Sequence, residues 1–246
     1  MKHNSNQINI CLAGVPIQYI LRYTGTKSYF EDFICKEHTK EKALTVTDEL
    51  WERHRNVVDK SLSNEYAEFY ALIGISSREL LKYGKCLFHG VAFVWNKKAW
   101  IITAPSGTGK TTQYRLWKRI YGDEIELING DKPIVECKSD GSIWVYPSPW
   151  NGKENYSGRA SAQLAGIIYL EQAKYNCIER MDIQNLILPI YRQFLFYGDY
   201  ESEIRAVGKM EEQILSNIPV WKLSNLGDEE SVRMSHEIIL KFEEDQ

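Results

Sequence analysis

The segment that most constrains this chain is Ala104-Pro105-Ser106-Gly107-Thr108-Gly109-Lys110-Thr111, set between an apolar run ending at Thr103 and a helix-forming run. Two glycines spaced two apart let successive backbone N–H groups turn inward, and a helix opening directly behind them points its partly positive end at the same spot. Such a nest holds anions, phosphate above all. The pattern matches a phosphate loop at its decisive positions, with Ala104 in place of the opening glycine. In that chemistry Lys110 reaches the β- and γ-phosphates and the Thr111 hydroxyl holds Mg²⁺. The expected ligand is ATP or another nucleoside triphosphate with Mg²⁺, contacted by Ser106, Gly107, Thr108, Gly109, Lys110, Thr111 and Thr112. A plain glycine turn before a helix is the alternative, and loop geometry alone also favours small polar residues at 106 and 112.

The strands around the loop narrow the fold. Cys86–Trp95 and Ala99–Ala104 are Val-, Ile-, Phe- and Trp-rich runs joined by the short polar step Asn96-Lys97-Lys98, which predicts a hairpin. The strand entering the loop then has an antiparallel neighbour, unlike the parallel βαβ unit of common nucleotide triphosphatases. A helix over 111–121 and a strand over 125–128 follow, with Asp131 just beyond as the candidate acidic metal residue. Ser139-Asp140-Gly141 then turns between strands 134–137 and 143–146. Farther on, the pattern gives a polar loop over 147–161, a strand near 167–170, helices around 183–196, 201–218 and 228–242, and a short strand at 219–223. Ahead of the hairpin, 8–23 and 43–46 read as strands and 64–83 as a helix stopped by Gly84. The expected fold is α/β: a mixed, largely antiparallel sheet with the phosphate loop between a hairpin strand and a helix. Residues 1–84 form a small N-terminal α/β segment and 85–246 the nucleotide-binding domain.

Composition limits the partners. In 246 residues, 30 Lys and Arg stand against 33 Asp and Glu, a net charge of -3 with no long basic run, so no face is built to track a nucleic-acid backbone. The 43% apolar content is enough for a sizeable core, yet the longest apolar runs fall far short of the ~20 residues that cross a bilayer. The N-terminus makes a poor signal peptide. Five scattered cysteines, without a Cys-x-x-Cys pair, read as the thiols of a reducing compartment. A cytoplasmic protein without nucleic-acid or membrane partners is expected, with homo-oligomers allowed.

Five stretches, the loop among them, stand in a specific order and spacing: Leu87-Phe88-His89-Gly90-Val91-Ala92, the loop itself through Thr112, Ile128-Asn129-Gly130-Asp131-Lys132-Pro133, Ser148-Pro149-Trp150-Asn151-Gly152-Lys153-Glu154, and Tyr191-Arg192. On these the chain resembles the HPr serine kinase/phosphorylase superfamily, whose nucleotide core is shared with phosphoenolpyruvate carboxykinase, and most resembles its small stand-alone members in Firmicutes, some of which occur with peptide natural-product pathways. The resemblance covers about residues 86 to 195. It implies phosphoryl transfer from a nucleotide to a hydroxyl, usually a serine, without a covalent enzyme intermediate.

By that resemblance, His89 matches the family's strand histidine, orienting the catalytic acid or contacting the γ-phosphate; a histidine in an apolar strand is otherwise a core residue. Asp131 matches the second residue of a paired Asp-Asp, where it completes the Mg²⁺ shell or receives the acceptor's proton. The first of the pair is Gly130 here, so Asp131 takes both jobs, another acid such as Glu154 substitutes, or turnover is weak. Lys153, in a Pro-Trp-x-Gly-Lys loop, balances transition-state charge or is a solvated surface lysine. Arg192 contacts phosphate or substrate, or makes a helix-surface salt bridge.

The leading expectation is an ATP- and Mg²⁺-dependent kinase for a Ser or Thr hydroxyl of a protein or peptide, including a ribosomal natural-product precursor. A small-molecule kinase for serine or a sugar, and a catalytically weakened nucleotide-binding regulator, are the alternatives. A closed pocket over the loop favours the small molecule, and an open groove beside 148–156 favours a peptide.

Overall fold

A computed structural model describes residues 6–37, 39–57, 61–152, 154 and 156–244. The chain opens with a hairpin, β1 (Gln7–Leu12) and β2 (Val15–Ile20), turned by Ala13 and Gly14 at φ 48° and 79°. A 3-10 stretch, Thr24–Phe33, and two helices follow, α1 (Asp48–Val57) and α2 (Asn64–Leu81). The Ser63 side chain caps α2 by accepting from the Tyr66 N–H at 3.2 Å. Then come β3 (Lys85–Leu87), β4 (Val91–Trp95), β5 (Lys98–Thr103), α3 (Lys110–Tyr121), β6 (Glu126–Asn129), β7 (Ile134–Cys137), β8 (Ile143–Tyr146) and β9 (Ala162–Gln172). The chain continues through β10 (Cys177–Arg180), α4 (Ile183–Tyr191), α5 (Glu201–Asn217), β11 (Val220–Asn225) and α6 (Glu229–Glu244).

Strands β3 to β11 make one mixed sheet, running β3-β7-β8-β9-β5-β4-β6, with β11 also on β9 and β10 on β11. Only β5–β9 and β9–β11 are parallel; the other pairs are antiparallel. The β4–β5 hairpin turns on Asn96 and Lys97, at φ 45° and 64°. Two consecutive left-handed residues give the turn whose twist suits adjacent strands. The strand entering the glycine loop therefore has an antiparallel neighbour on one side and a parallel one on the other.

Strand β5 is buried on both faces, and its side chains alternate between two cores as a period of two requires. Ala99 and Ile101 meet Val207, Met210 and Ile214 of α5; Trp100 and Ile102 join Trp117 of α3 with Val232 and Ile239 of α6. A third core unites β1, β2 and α2 with Leu87, Ile134 and Trp150, and the Trp150 indole donates to the Phe69 carbonyl at 2.8 Å. This apolar cluster runs across the 84/85 boundary, and α2 is buried nearly all round, with polar Glu68, Ser76, Ser77 and Glu79 among its buried residues.

Three local expectations are corrected. The run 86–95 is two strands, broken at Phe88-His89-Gly90. A Cβ on Gly90 would lie 2.8 Å from the Ile101 side chain and 3.0 Å from the Ile102 carbonyl, so only glycine lets the chain turn so close to β5. Residues 43–46 form no strand; Leu44 only bridges Tyr19. Helix α4 ends at Tyr191 rather than 196, and the chain beyond it returns along the break: His89 N donates to Gln193 O at 2.7 Å and Leu195 N to Leu87 O at 2.9 Å. The five cysteines are free thiols. No described helix is long and apolar enough to cross a membrane.

Candidate active site

Between β5 and α3 the glycine loop takes the backbone its sequence requires. Gly107 and Gly109 have φ 81° and 109°, values that side-chain-bearing residues rarely adopt, and Lys110 opens the helix. Its ammonium folds beneath the loop, donating to the carbonyls of Ala104 at 2.9 Å and Pro105 at 3.1 Å. Burial, with nearby Lys132 adding to it against the pull of Asp131, brings its pKa down to about 8.

Facing the loop is the turn after β6. The Asn129 carboxamide oxygen accepts from the N–H groups of Asp131 (2.9 Å) and Lys132 (2.7 Å), and its amide donates to the Ser148 carbonyl at 2.9 Å. This side-chain-to-backbone turn aims Asp131 into the space before the loop. The Lys132 ammonium pairs with the Asp131 carboxylate and lies 5.0 Å from the centre of the Tyr70 ring. Lys132 is only 6% exposed. Burial opposes its charge, but Asp131 and the Tyr70 phenol hold its pKa above the ordinary lysine value. His89 Nε2 is 3.6 Å from Asp131 Oδ1. Burial and then the Lys110 and Lys132 cations outweigh Asp131 and push the imidazole down to about 4, so it is neutral at physiological pH.

These groups line a cleft of about 660 Å³, a size typical of small-molecule and cofactor sites. One half holds Ser106, Gly107, Thr111, His89, Asp131, Lys132 and Glu154. The other is built largely by the N-terminal segment: His54 of α1, Tyr66, Tyr70, Ile73 and Gly74 of α2, with Leu195, Phe196 and Tyr197. A Cβ on Gly74 would lie 2.4 Å from the Tyr197 ring, so glycine admits that ring against the helix backbone. The Tyr197 hydroxyl donates to the Ala71 carbonyl and lies 3.0 Å from His54 Nε2, tying 195–197 to α1 and α2.

Of the residues expected at the site, the structure brings Ser106, Gly107, Thr111, His89 and Asp131 to one cleft, with Lys110 under the loop and Thr108 and Gly109 within it. Thr112 is exposed on α3 and does not line the cleft. Lys153 lies outside the described residues. Arg192 is exposed at the end of α4 and does not line the cleft; the Tyr169 phenol is within its electrostatic reach. Glu154 lines it, with Arg115 at 3.4 Å. Tyr66, Tyr70 and Tyr197 lie outside the quoted motifs, and Lys132 lies inside one that assigns it no role. The usable signal was the i, i+4, i+7, i+8 spacing of residues 66, 70, 73 and 74, which puts them on one face of α2.

Gly130 is enclosed. A Cβ there would lie 2.6 Å from Tyr156 Cβ, 2.9 Å from the Tyr156 carbonyl and 3.0 Å from the Asn151 carbonyl. The missing first acid therefore has no seat at this backbone.

Among the described residues no group of three His, Cys, Asp or Glu side chains could hold a metal by itself. Mg²⁺ is ordinarily held by one or two protein oxygens together with substrate phosphates. A hydroxyl at Thr111 and a carboxylate at Asp131, both lining the cleft before the loop, fit that sparse donor set.

No family model matches the chain, and no curated protein matches it. Among solved structures it is similar to the Hpr(Ser) kinase/phosphatase from Coxiella burnetii at 12% identity and a TM-score of 0.35, over 65% of this chain and 95% of that one. At so low a score the likeness bears no weight on the chemistry, and the functional reading rests on the residues of the cleft.

Proposed function

We propose that the chain binds a nucleoside triphosphate, ATP or a relative, on the loop 104–111 and transfers its γ-phosphoryl group to a hydroxyl, a Ser or Thr of a protein or peptide. What supports this most is one convergence: a positive-φ glycine loop at a helix N-terminus with Lys110 beneath it faces Asp131, His89 and Lys132 across a single cleft. In the proposed step the acceptor oxygen attacks the γ-phosphorus, the bond to the β–γ bridging oxygen breaks, and the nucleoside diphosphate leaves with the electron pair. The acceptor's proton passes to the Asp131 carboxylate. Lys110 leaves its loop carbonyls for the phosphates, and Mg²⁺, held by Thr111 and Asp131, would neutralise charge on the β- and γ-oxygens. Neutral His89 stands beside Asp131, its Nε2 3.6 Å from the carboxylate.

A second reading, a nucleotide-binding regulator with weak turnover, draws on the closed seat at Gly130, which leaves one carboxylate for two jobs. Transfer of labelled phosphate from γ-labelled ATP with Mg²⁺ to hydroxyl acceptors separates the two. Transfer lost in Asp131→Asn supports the kinase. Tight, Lys110-dependent nucleotide binding without transfer to any acceptor supports the regulator.

A further inference from the structure

In-line phosphoryl transfer puts the attacking oxygen on the side of the γ-phosphorus opposite the leaving oxygen. Here Asp131 lies within electrostatic reach both of Lys110 under the loop and of Tyr66 on the aromatic wall of α2. Lys132 pairs with Asp131 and lies against Tyr70, and the Tyr66 phenol is within electrostatic reach of both Lys132 and Asp131. A hydroxyl arriving opposite a loop-bound nucleotide and within reach of Asp131 therefore passes this wall.

The wall offers little to a charged acceptor. Among the described residues, Arg78 is engaged by Glu203 and Asp199, Arg53 by Asp199, and Lys132 by Asp131. Neither arginine lines the cleft. His54, the wall's other basic group, has its pKa lowered by burial and by neighbouring Arg53, which disfavours its charge. Among the described residues of the wall, a carboxylate such as that of free serine would lose water without gaining a free cation. What the wall does supply is Tyr66, Ile73, Phe196 and the Tyr197 ring, rigid aromatic and aliphatic surface suited to apolar side chains.

We infer that the half of the cleft formed by α2 and residues 195–197 is the acceptor subsite, and that it takes a Ser or Thr in an uncharged peptide segment with apolar neighbours. This rests on the kinase reading of the same cleft, with the N-terminal segment selecting the acceptor.

The test uses the full chain and three probes: a blocked pentapeptide with serine between leucine and phenylalanine residues, the same peptide with aspartates beside the serine, and free serine. Binding is measured with a non-hydrolysable ATP analogue present, and transfer is measured with ATP and Mg²⁺. The apolar peptide is expected to bind and react best. Tyr66→Ala and Phe196→Ala are each expected to weaken it by about tenfold, roughly the loss of one aromatic contact, while leaving nucleotide affinity unchanged. Tyr66→Phe retains the ring and is expected to keep most of the affinity, which separates lost contact from misfolding. Preference for free serine or the acidic peptide overturns the inference. So does a loss of nucleotide affinity in the two alanine variants, which would make this half the nucleobase site. Peptide binding without transfer leaves the subsite standing and removes the kinase reading.

Discussion

Lys132 sets its ammonium on the carboxylate of its neighbour Asp131, at the meeting point of the glycine loop and the aromatic wall. The pair is local in sequence but has a tertiary cause. Asn129 folds the turn onto Ser148, while Tyr70 of α2 covers the lysine. The buried lysine fixes the carboxylate of the proposed proton acceptor in place by pairing with it. Lys132→Met is expected to cut transfer by about tenfold or more while changing ATP affinity less, and Lys132→Arg to restore part of the loss. Parallel measurement of kcat and nucleotide Kd checks this; equal loss in both would make Lys132 a nucleotide contact instead.

Restoring the missing first acid is not expected to restore activity. A side chain at 130 meets Tyr156 and the Asn151 carbonyl at 2.6 to 3.0 Å, mostly backbone that cannot swing aside. Gly130→Asp should cost roughly 1–3 kcal/mol in overpacking and leave turnover unchanged or lower. Thermal melts and steady-state rates of the variant test this, and a gain in turnover at unchanged Tm would contradict it.

Nucleotide affinity should depend on pH through Lys110. Its pKa in the free protein is lowered to about 8, first by burial. The charged form binds phosphate, so affinity is full below pH 8. Above it, apparent Kd should rise up to about tenfold per pH unit as the free protein must take up a proton to bind. Titrations from pH 6.5 to 9.5 should show this break in the wild type and not in Lys110→Arg, whose guanidinium stays charged.

Much of the scaffold was legible because its signals are local. Asn96-Lys97 and Asp140-Gly141 mark their hairpins, and α2, α3, α5 and α6 declare themselves by apolar spacing. Other features depend on partners distant in the chain. The break at His89 exists because Gly90 crowds Ile101 and because 193–195 returns beside it. Strand β10 is an edge without apolar alternation, paired only with β11. In the site, the loop could be read as a motif, whereas Tyr66, Tyr70 and Tyr197 acquire their place from the docking of the N-terminal segment. Arg192 fits a motif in sequence, but the end of α4 carries it to the surface.

Away from the cleft, Glu211 on α5 is 7% exposed, and its Oε1 has no hydrogen-bond partner among the described residues. Burial raises its pKa from 4.5 to about 7, against the Tyr191 N–H that favours the charge. The folded value lies above the unfolded one, so its contribution is fully present below pH 4.5 and is lost as pH rises through 7. Glu211→Gln should match the wild type near pH 4.5 and melt higher at pH 8. Melting curves at both pH values check this, and an equal Tm at pH 8 would count against a buried charge.

The measurement that bears most directly on the account is titration of the purified protein with ATP and Mg²⁺, run beside Lys110→Ala with matched melting curves. Saturable binding by the wild type, weakened at least about tenfold in the variant at similar Tm, is the predicted result. Equal affinity in the two proteins, or no binding by the wild type, would contradict a phosphate-binding role for the loop and with it the proposed phosphoryl transfer.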